Sequence, residues 1–326
     1  MPTIDLAAVE RTADALFAPD APHGLSLALV VVQGGEVVFE RYGHQPDTVF
    51  GPGQPVTPES TLISWSMAKS ITHALVGILV GEGRLQLDAP APVPSWQGTP
   101  KAAITLQHLL NMRSGLEFVE DYVDDSVSHC LEMLYGAGKD DMAAYAAGLP
   151  LVHEPGAFWN YSSGTTNIIS RIIGDEVGGG QAGMETFLRE RLFQPTGMHS
   201  ATPKFDTSGT FVGSSYVYAT ARDFARFGEL YRNDGVTAEG ARVLPAGWAA
   251  RAASFTAHDP DTGFDYGAHW WLWPDLAGSL ACHGYEGQYT MVLPDRELVV
   301  VHLGKCPFEQ RVFVNDRLRD IVHAAR

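Results

Sequence analysis

Several classes of protein are excluded by what this 326-residue chain lacks. Its three cysteines, Cys130, Cys282 and Cys306, have no CxxC spacing, which argues against a disulfide scaffold and against a zinc ribbon. There is no HExxH motif, and the 12 histidines are scattered without ligand spacing, so we expect no metal site. The chain also lacks GxSxG, the nucleophile elbow of the α/β-hydrolases.

Positive charge is scarce as well. The chain has 22 Lys and Arg against 38 Asp and Glu, a formal net charge of −16, and no basic stripe, so we expect no nucleic-acid partner. No run approaches the ~20 apolar residues that a membrane span requires, so we expect no membrane partner either. Residues 1–17 contain neither the basic nor the apolar region of a signal peptide, which favours a cytoplasmic location.

The hydrophobic pattern changes twice along the chain. Residues 4–18 have apolar side chains at helical spacing, and two β-rich runs, 25–32 and 36–42, flank Gly34 and Gly35 as in a hairpin. The pattern predicts further helices over 66–82, 105–112, 126–148, 165–177, 183–193, 220–233 and 309–325. It predicts further strands over 267–273, 278–283, 288–293 and 298–303.

These elements predict an α+β fold. The N-terminal hairpin and the C-terminal strands would share one antiparallel sheet, flanked by the two terminal helices, with an all-helical region inserted between them. We therefore expect a sheet domain formed by residues 1–60 and 206–326 and a mainly helical domain over 61–205. An active site would lie at their interface. The oligomeric state is not readable from the sequence, and a homodimer is one option.

One short motif carries recognisable chemistry. Ser66 and Lys69 are three positions apart at the start of a predicted helix, which puts both side chains on one face. A serine hydroxyl is a weak nucleophile until a base takes its proton, and a lysine can be that base if burial lowers its pKa. The simpler interpretation is that Ser66 only caps the helix.

Two later segments could complete such a site. Tyr161 lies in a polar loop, where it could act as a base or a proton shuttle, or could merely anchor the loop. His283, Gly284 and Gly287 join two predicted strands, and glycine there allows close approach to a ligand. The alternative is an ordinary β-turn with a structural histidine.

In this order, the three motifs resemble those of the serine β-lactamase-like hydrolases, and most closely the class C group. That group includes β-lactamases, D,D-carboxypeptidases, esterases and 6-aminohexanoate-dimer hydrolases. Tyr161 follows Ser66 by about 95 positions, and the resemblance covers most of residues 25–305. Similar stretches span 66–72, 81–88, 106–115, 154–156, 195–198, 219–223 and 284–289.

The resemblance implies a β-lactamase/transpeptidase-like fold and roles for particular residues. Ser66 would be the acylated nucleophile, Lys69 its base partner and Tyr161 the second proton-transfer residue. The backbone N–H groups of Ser66 and Glu286 would form the oxyanion hole. Further substrate contacts would come from Ser163, His283, Gly284 and Tyr285. The family cleaves esters, amides or lactams without a cofactor or a metal.

Two departures from that pattern favour the esterase and 6-aminohexanoate-dimer hydrolase branch. Ser163 stands where class C β-lactamases usually have Asn, and His283 stands where β-lactamases and D,D-peptidases have Lys. A histidine is mostly neutral near pH 7 and attracts a substrate carboxylate less than a lysine does.

The sequence therefore predicts a serine hydrolase acting on small esters or amides. The aromatic segment 269–273 would line its pocket or pack in the core. The alternatives are a β-lactamase or D-amino-acid peptidase of the same fold, and a catalytically idle binding or scaffold protein.

Overall fold

The fold is built around an eight-stranded antiparallel sheet with the strand order β2-β1-β11-β10-β9-β8-β7-β6. The computed structural model describes residues 4–49, 51–122 and 127–325. In chain order the strands are β1 Leu25–Gln33, β2 Glu36–Tyr42, β3 Leu62–Ile63, β4 Thr202–Pro203, β5 Val217–Ala219, β6 Ala257–His258, β7 Asp265–Tyr266, β8 Trp271–Leu272, β9 Leu280–Gly284, β10 Gln288–Leu293 and β11 Leu298–Lys305. Strands β3, β5 and β4 form a separate small sheet.

Helices cover both faces of the large sheet, and several of them lie in the chain segment between β2 and β6. They are α1 Leu6–Leu16, α2 Ala68–Gly81, α3 Leu106–Leu110, α4 His129–Leu134, α5 Met142–Gly148, α6 Ser163–Val177, α7 Gly180–Phe187, α8 Ala221–Arg232, α9 Trp248–Ala252 and α10 Arg311–Ala324. Single helical turns over 65–67 and 285–287 lead into α2 and β10. In the part of the chain that the structure describes, no helix is long and apolar enough to cross a membrane.

Side chains on the central strands alternate between two cores. Leu29 and Val31 of β1 pack with α1 and α10, while Val30 and Val32 face the core that contains α2 and α8. Because both faces of β1 are buried, its sequence is an almost continuous apolar run rather than an alternation of apolar and polar residues. The predicted α+β fold, with terminal helices against one antiparallel sheet, is confirmed.

The hairpin prediction is confirmed in detail. Strands β1 and β2 pair antiparallel, and the two residues between them, Gly34 and Gly35, have φ values of 62° and 86°. Positive φ at both central positions is the requirement of a tight hairpin turn, and glycine meets it without strain.

The structure differs from the sequence prediction in several places. Of the strand expected over 267–273 only β8 forms, while β7 ends just before that segment, and the chain turns between the two at His269, which has a φ of 57°. The helix expected over 126–148 is the separate pair α4 and α5, and residue 126 lies outside the described residues. The segment expected to be all-helical also has short strands near its two ends, β3 and β4. The division into domains 1–60 with 206–326 and 61–205 stays a prediction.

Candidate active site

Ser66 lies in the helical turn Trp65–Met67 that precedes α2, rather than in the first turn of the α-helix itself. Such a turn has about three residues per turn, so residues three apart lie above one another and the predicted Ser66–Lys69 contact survives. The Lys69 Nζ is 2.9 Å from the Ser66 Oγ. Ser66 is not the capping residue, because Ser64 precedes this turn and Met67 precedes α2.

The turn is fastened to the neighbouring small sheet. The Ser64 Oγ donates to the Ser215 carbonyl and accepts from the Val217 N–H, and the Ser64 N–H donates to the Val217 carbonyl. Trp65 has a φ of 44°, a left-handed conformation that is unfavourable for a bulky side chain and is maintained only where the surroundings enforce it. The nucleophile therefore sits on a rigid, strained turn.

Lys69 is buried, with 1% of its side chain exposed, yet its amine has three oxygen neighbours. These are the Ser66 Oγ at 2.9 Å, the Ser163 Oγ at 2.9 Å and the Ser214 carbonyl at 3.0 Å. Burial lowers the pKa of Lys69, and the negative charge of Glu120 opposes part of that shift. This is the direction that a lysine needs in order to act as a base.

Sequence reasoning missed Glu120, which completes this network. Its carboxylate accepts hydrogen bonds from the Ser163 N–H at 2.7 Å, the Ser163 Oγ at 2.6 Å and the Tyr122 Oη at 2.7 Å. The Ser163 proton is thus committed to Glu120, so the Ser163 oxygen can only accept from Lys69. A single acidic residue in a loop gives no motif, and no signal in the sequence could have identified it.

This arrangement defines which way protons can move. The Ser163 oxygen and the Ser214 carbonyl both accept hydrogen bonds from the Lys69 amine. Among the three oxygen neighbours of that amine, only the Ser66 hydroxyl still has a proton to donate. A neutral Lys69 would donate its two hydrogens to Ser163 and Ser214 and accept the Ser66 proton with its lone pair. The geometry therefore fits a lysine base acting on Ser66.

Tyr161 lies beside both Ser66 and Lys69 and packs in an aromatic cluster. Its ring centroid is 4.9 Å from the Lys69 Nζ and 5.3 Å from the Trp271 ring, and its hydroxyl interacts with the Ser66 side chain. Burial raises the pKa of Tyr161 well above its ordinary value. The phenol therefore stays protonated at neutral pH, which is the form that a proton donor to a leaving group requires. Its ring also packs against Trp271.

The third motif runs beside the nucleophile. A Cβ added to Gly284 would come within 2.4 Å of the Ser64 carbonyl oxygen, so only glycine permits this approach. In the turn that follows, Glu286 adopts a left-handed conformation with a φ of 61°, and its carboxylate accepts from the Trp65 Nε1 at 3.2 Å. The motif therefore lies next to the Ser66 turn, where the proposed oxyanion hole requires it.

His283 is enclosed by aromatic rings. It is stacked on Trp271 with ring centroids 5.2 Å apart, and its Nε2 accepts from the Trp273 Nε1 at 2.9 Å. The rings of Phe264 and Tyr289 approach its edges at 4.8 and 4.9 Å. Burial lowers the pKa of His283 to about 3, so the imidazole is neutral at pH 7 and supplies no charge to hold a substrate carboxylate.

A cavity of about 500 Å³ opens in front of Ser66 and Tyr161. Its described lining includes the carboxylates of Glu120, Asp259, Asp261 and Glu286 and the guanidinium of Arg311, so negative charge is in excess. His283, Gly284 and Tyr285 also line it.

The aromatic segment 269–273 is divided between the pocket and the core. Trp271 lines the cavity, whereas His269, Trp270 and Trp273 are buried in the core. Both interpretations of this segment are therefore correct in part. Among the residues that the structure describes, no group of three or more His, Cys, Asp or Glu side chains could hold a metal ion.

The chain is similar in sequence to curated proteins. The chain is similar to a 6-aminohexanoate-dimer hydrolase from Paenarthrobacter ureafaciens, with 26% identity over 299 residues, covering 86% of this chain and 72% of that protein. It is also similar to penicillin-binding protein 4 from Amycolatopsis lactamdurans, with 27% identity over 300 residues, covering 78% and 74%.

A solved structure shares the fold, and a family model matches nearly the whole chain. The crystal structure of a family VIII carboxylesterase superposes with a TM-score of 0.74 at 16% identity, covering 98% of this chain and 96% of that one. The resemblance inferred from the motifs is confirmed, since the Beta-lactamase family model matches residues 10–324. The chain therefore belongs to the Beta-lactamase family of serine hydrolases.

Proposed function

We propose that this protein hydrolyses ester or amide bonds of small substrates through an acyl-enzyme formed on Ser66. The observation that carries the proposal is the Lys69 amine, which is buried among three oxygen atoms of which only the Ser66 hydroxyl can give it a proton. The names of the relatives, a 6-aminohexanoate-dimer hydrolase and a family VIII carboxylesterase, support the proposed hydrolysis of small amides and esters.

The reaction follows from the positions of the groups. Neutral Lys69 takes the Ser66 proton as the oxygen attacks the substrate carbonyl. The backbone N–H groups of Ser66 and Glu286 stabilise the negative oxygen that forms. Tyr161 donates its proton to the leaving group, and water then cleaves the acyl-enzyme by the reverse proton path. The roles of Ser163, His283, Gly284 and Tyr285 as further substrate contacts belong to this proposal.

The charge around the cavity argues for neutral or cationic substrates. Four carboxylates and one guanidinium line it, and His283 is neutral, so a substrate carboxylate would be repelled rather than held. A β-lactamase or a D,D-peptidase acts on substrates that carry such a carboxylate. We therefore expect weak or no turnover of a chromogenic cephalosporin and of a D-Ala-D-Ala peptide.

A fluorophosphonate probe followed by intact-mass analysis tests the nucleophile. We expect one adduct on the wild type and on Ser254→Ala, an exposed serine that is not among the described residues lining the cavity, and none on Ser66→Ala. An adduct on Ser66→Ala would place the nucleophile elsewhere and overturn the proposal. Lack of an adduct on the wild type would instead favour an idle binding protein.

A cytoplasmic location and a homodimer are proposals that rest on the sequence alone. Cell fractionation with an antibody against the chain tests the first. Light scattering coupled to size-exclusion chromatography tests the second, since a homodimer has twice the 35.3 kDa mass of the chain.

A further inference from the structure

A second cavity, of about 200 Å³, also reaches Ser66 and shares Tyr122 and Tyr285 with the larger one. We propose that it binds the acyl group of the substrate and selects apolar, uncharged acyl groups of about six carbons or one phenyl ring. This inference rests on the proposed hydrolysis through Ser66 and adds the substrate class. The larger side chains that line the cavity include Trp65, Cys130, Leu131, Leu134, Tyr135 and Tyr285.

The position of Tyr161 assigns the two cavities to the two halves of a substrate. Tyr161 lines the larger cavity and is not among the described residues that line the smaller one. A proton donor must lie beside the atom that leaves, so the leaving group occupies the larger cavity. Ser66 lines both cavities, so a carbonyl carbon bonded to it directs its other substituent, the acyl chain, into the smaller cavity.

Three of the hydroxyl groups that line the smaller cavity already have protein partners. The Ser163 hydroxyl is bound to Lys69 and Glu120, the Ser215 hydroxyl lies 2.9 Å from the Ser214 hydroxyl, and the Tyr135 hydroxyl accepts from Tyr216 at 2.9 Å.

No charged side chain is among the described residues that line this cavity. Burial raises the pKa of the Cys130 thiol, which keeps it neutral. A charged acyl substituent buried here would meet no opposite charge among the described lining residues, and burying an unpaired charge is costly. The chemistry of the smaller cavity therefore contrasts with the acidic larger one.

The volume sets the length of the acyl group. An apolar protein cavity of roughly 150 Å³ accepts benzene, so about 200 Å³ accommodates a phenyl ring or a chain of about six carbons. A ten-carbon chain would exceed the cavity. An acetyl group would leave most of it unfilled and forgo the gain of about 0.8 kcal/mol per buried methylene.

The experiment uses p-nitrophenyl esters, which keep the leaving group constant while the acyl group varies. We expect kcat/KM for the hexanoate to exceed that for the acetate, the decanoate and the 6-aminohexanoate by at least about tenfold each. The last comparison is the sharpest, since the two acyl groups differ only by a terminal ammonium group. A maximum at acetate or decanoate, or equal rates for hexanoate and 6-aminohexanoate, would overturn the assignment.

Variants of Leu131 test whether this cavity is responsible. We expect Leu131→Trp to lower hexanoate turnover at least tenfold while sparing acetate, and Leu131→Ala to move the optimum to octanoate. The matched control is Val37→Trp, which adds the same bulk to an exposed position of β2 and should leave the profile unchanged. Equal losses on every ester in Leu131→Trp would contradict the proposal.

Probe labelling separates the two possible failures. If Ser66 is labelled but the chain-length profile is wrong, or if Ser66 is labelled and none of the esters is cleaved, only the acyl-group assignment fails. If the wild type is neither labelled nor active on any ester, both the proposed hydrolysis and the acyl-group assignment fail.

Discussion

Lys69 is a buried and His283 a half-buried nitrogen base near Ser66, and desolvation lowers the pKa of each. Their surroundings are opposite. The Lys69 amine touches three oxygen atoms and lies near the charge of Glu120, whereas His283 is surrounded by aromatic rings and has one hydrogen bond, from Trp273. Burial alone therefore does not make a catalytic base. The neighbouring groups determine whether the nitrogen can exchange a proton with another residue.

The comparison has a direct consequence for function. Lys69 can exchange a proton with Ser66 because Ser163 and Ser214 fix the rest of its hydrogen bonds. His283 accepts a hydrogen bond from Trp273 as a neutral ring. Protonating it would place a charge among apolar rings, which is energetically costly. We expect the two residues to separate cleanly in mutagenesis, with Lys69 controlling rate and His283 controlling packing and stability.

Loss of Lys69 should have the largest effect. We expect Lys69→Met, which keeps the length and removes the amine, to lower kcat/KM about 10³- to 10⁴-fold, the upper part of the range for general-base catalysis. Steady-state kinetics on p-nitrophenyl hexanoate measures it, and thermal melting shows whether the fold is retained. A folded variant within tenfold of wild type would remove the base assignment.

Tyr161→Phe should come next and should depend on the leaving group. For an anilide or an alkyl ester, whose leaving groups need a proton, we expect a loss of about 10²-fold or more. For a p-nitrophenyl ester the loss should be much smaller, because p-nitrophenolate leaves without protonation. Equal losses on both substrates would show that Tyr161 acts through packing rather than as a proton donor.

Glu120→Gln should change the pH profile as well as the rate. The negative charge of Glu120 raises the pKa of Lys69, so its removal lowers that pKa and moves the acid limb of kcat/KM to lower pH. We also expect the maximum of kcat/KM to be about tenfold lower, because a neutral amide orients Ser163 less firmly than a carboxylate does.

The control for this variant is Asp261→Asn, which removes a carboxylate lining the same cavity without a bond to Ser163. Its acid limb should stay in place. An unshifted limb in Glu120→Gln, or an equal shift in both variants, would contradict the specific coupling of Glu120 to Lys69.

His283→Gln should affect the rate least and reveal itself in stability. The folded pKa of His283, about 3, lies below its unfolded value of about 6.5, so the unfolded chain binds the proton first and stability falls as pH drops between those values. In the wild type, His283 contributes up to about 1.4 kcal/mol per pH unit to this fall in the free energy of unfolding, and we expect the variant to lack that contribution. Urea unfolding between pH 7.5 and 4.5 measures it. The exposed His199→Gln is the control, and an unchanged slope in His283→Gln would refute the prediction.

Local spacing explains what the sequence could predict. The Ser66–Lys69 contact depends on three residues of chain, and the β1–β2 hairpin depends on two glycines, so both follow from nearby residues alone. The role of Tyr161 needed the resemblance to a family, since its distance from Ser66 along the chain says nothing about its distance in space.

The rest of the site depends on contacts between distant segments. Glu120 meets Ser163, 43 positions away, and no periodicity predicts that contact. The ring of side chains around His283 comes from β8, β10 and the loop before β7. Trp65 adopts a left-handed conformation that a bulky side chain disfavours, so tertiary packing must enforce it.

The pairing of β1 with β11 has a consequence for biosynthesis. Leu25 pairs with Lys305, about 280 positions later, so β1 leaves the ribosome long before its central partner exists. At translation rates of roughly 5–20 residues per second, that wait lasts about 15 s to 1 min. During it, the apolar run of β1 must be shielded by β2, α1 or a chaperone. Nascent chains stalled before residue 298 should therefore be the aggregation-prone species, and hydrolytic activity should appear only after β11 has been made.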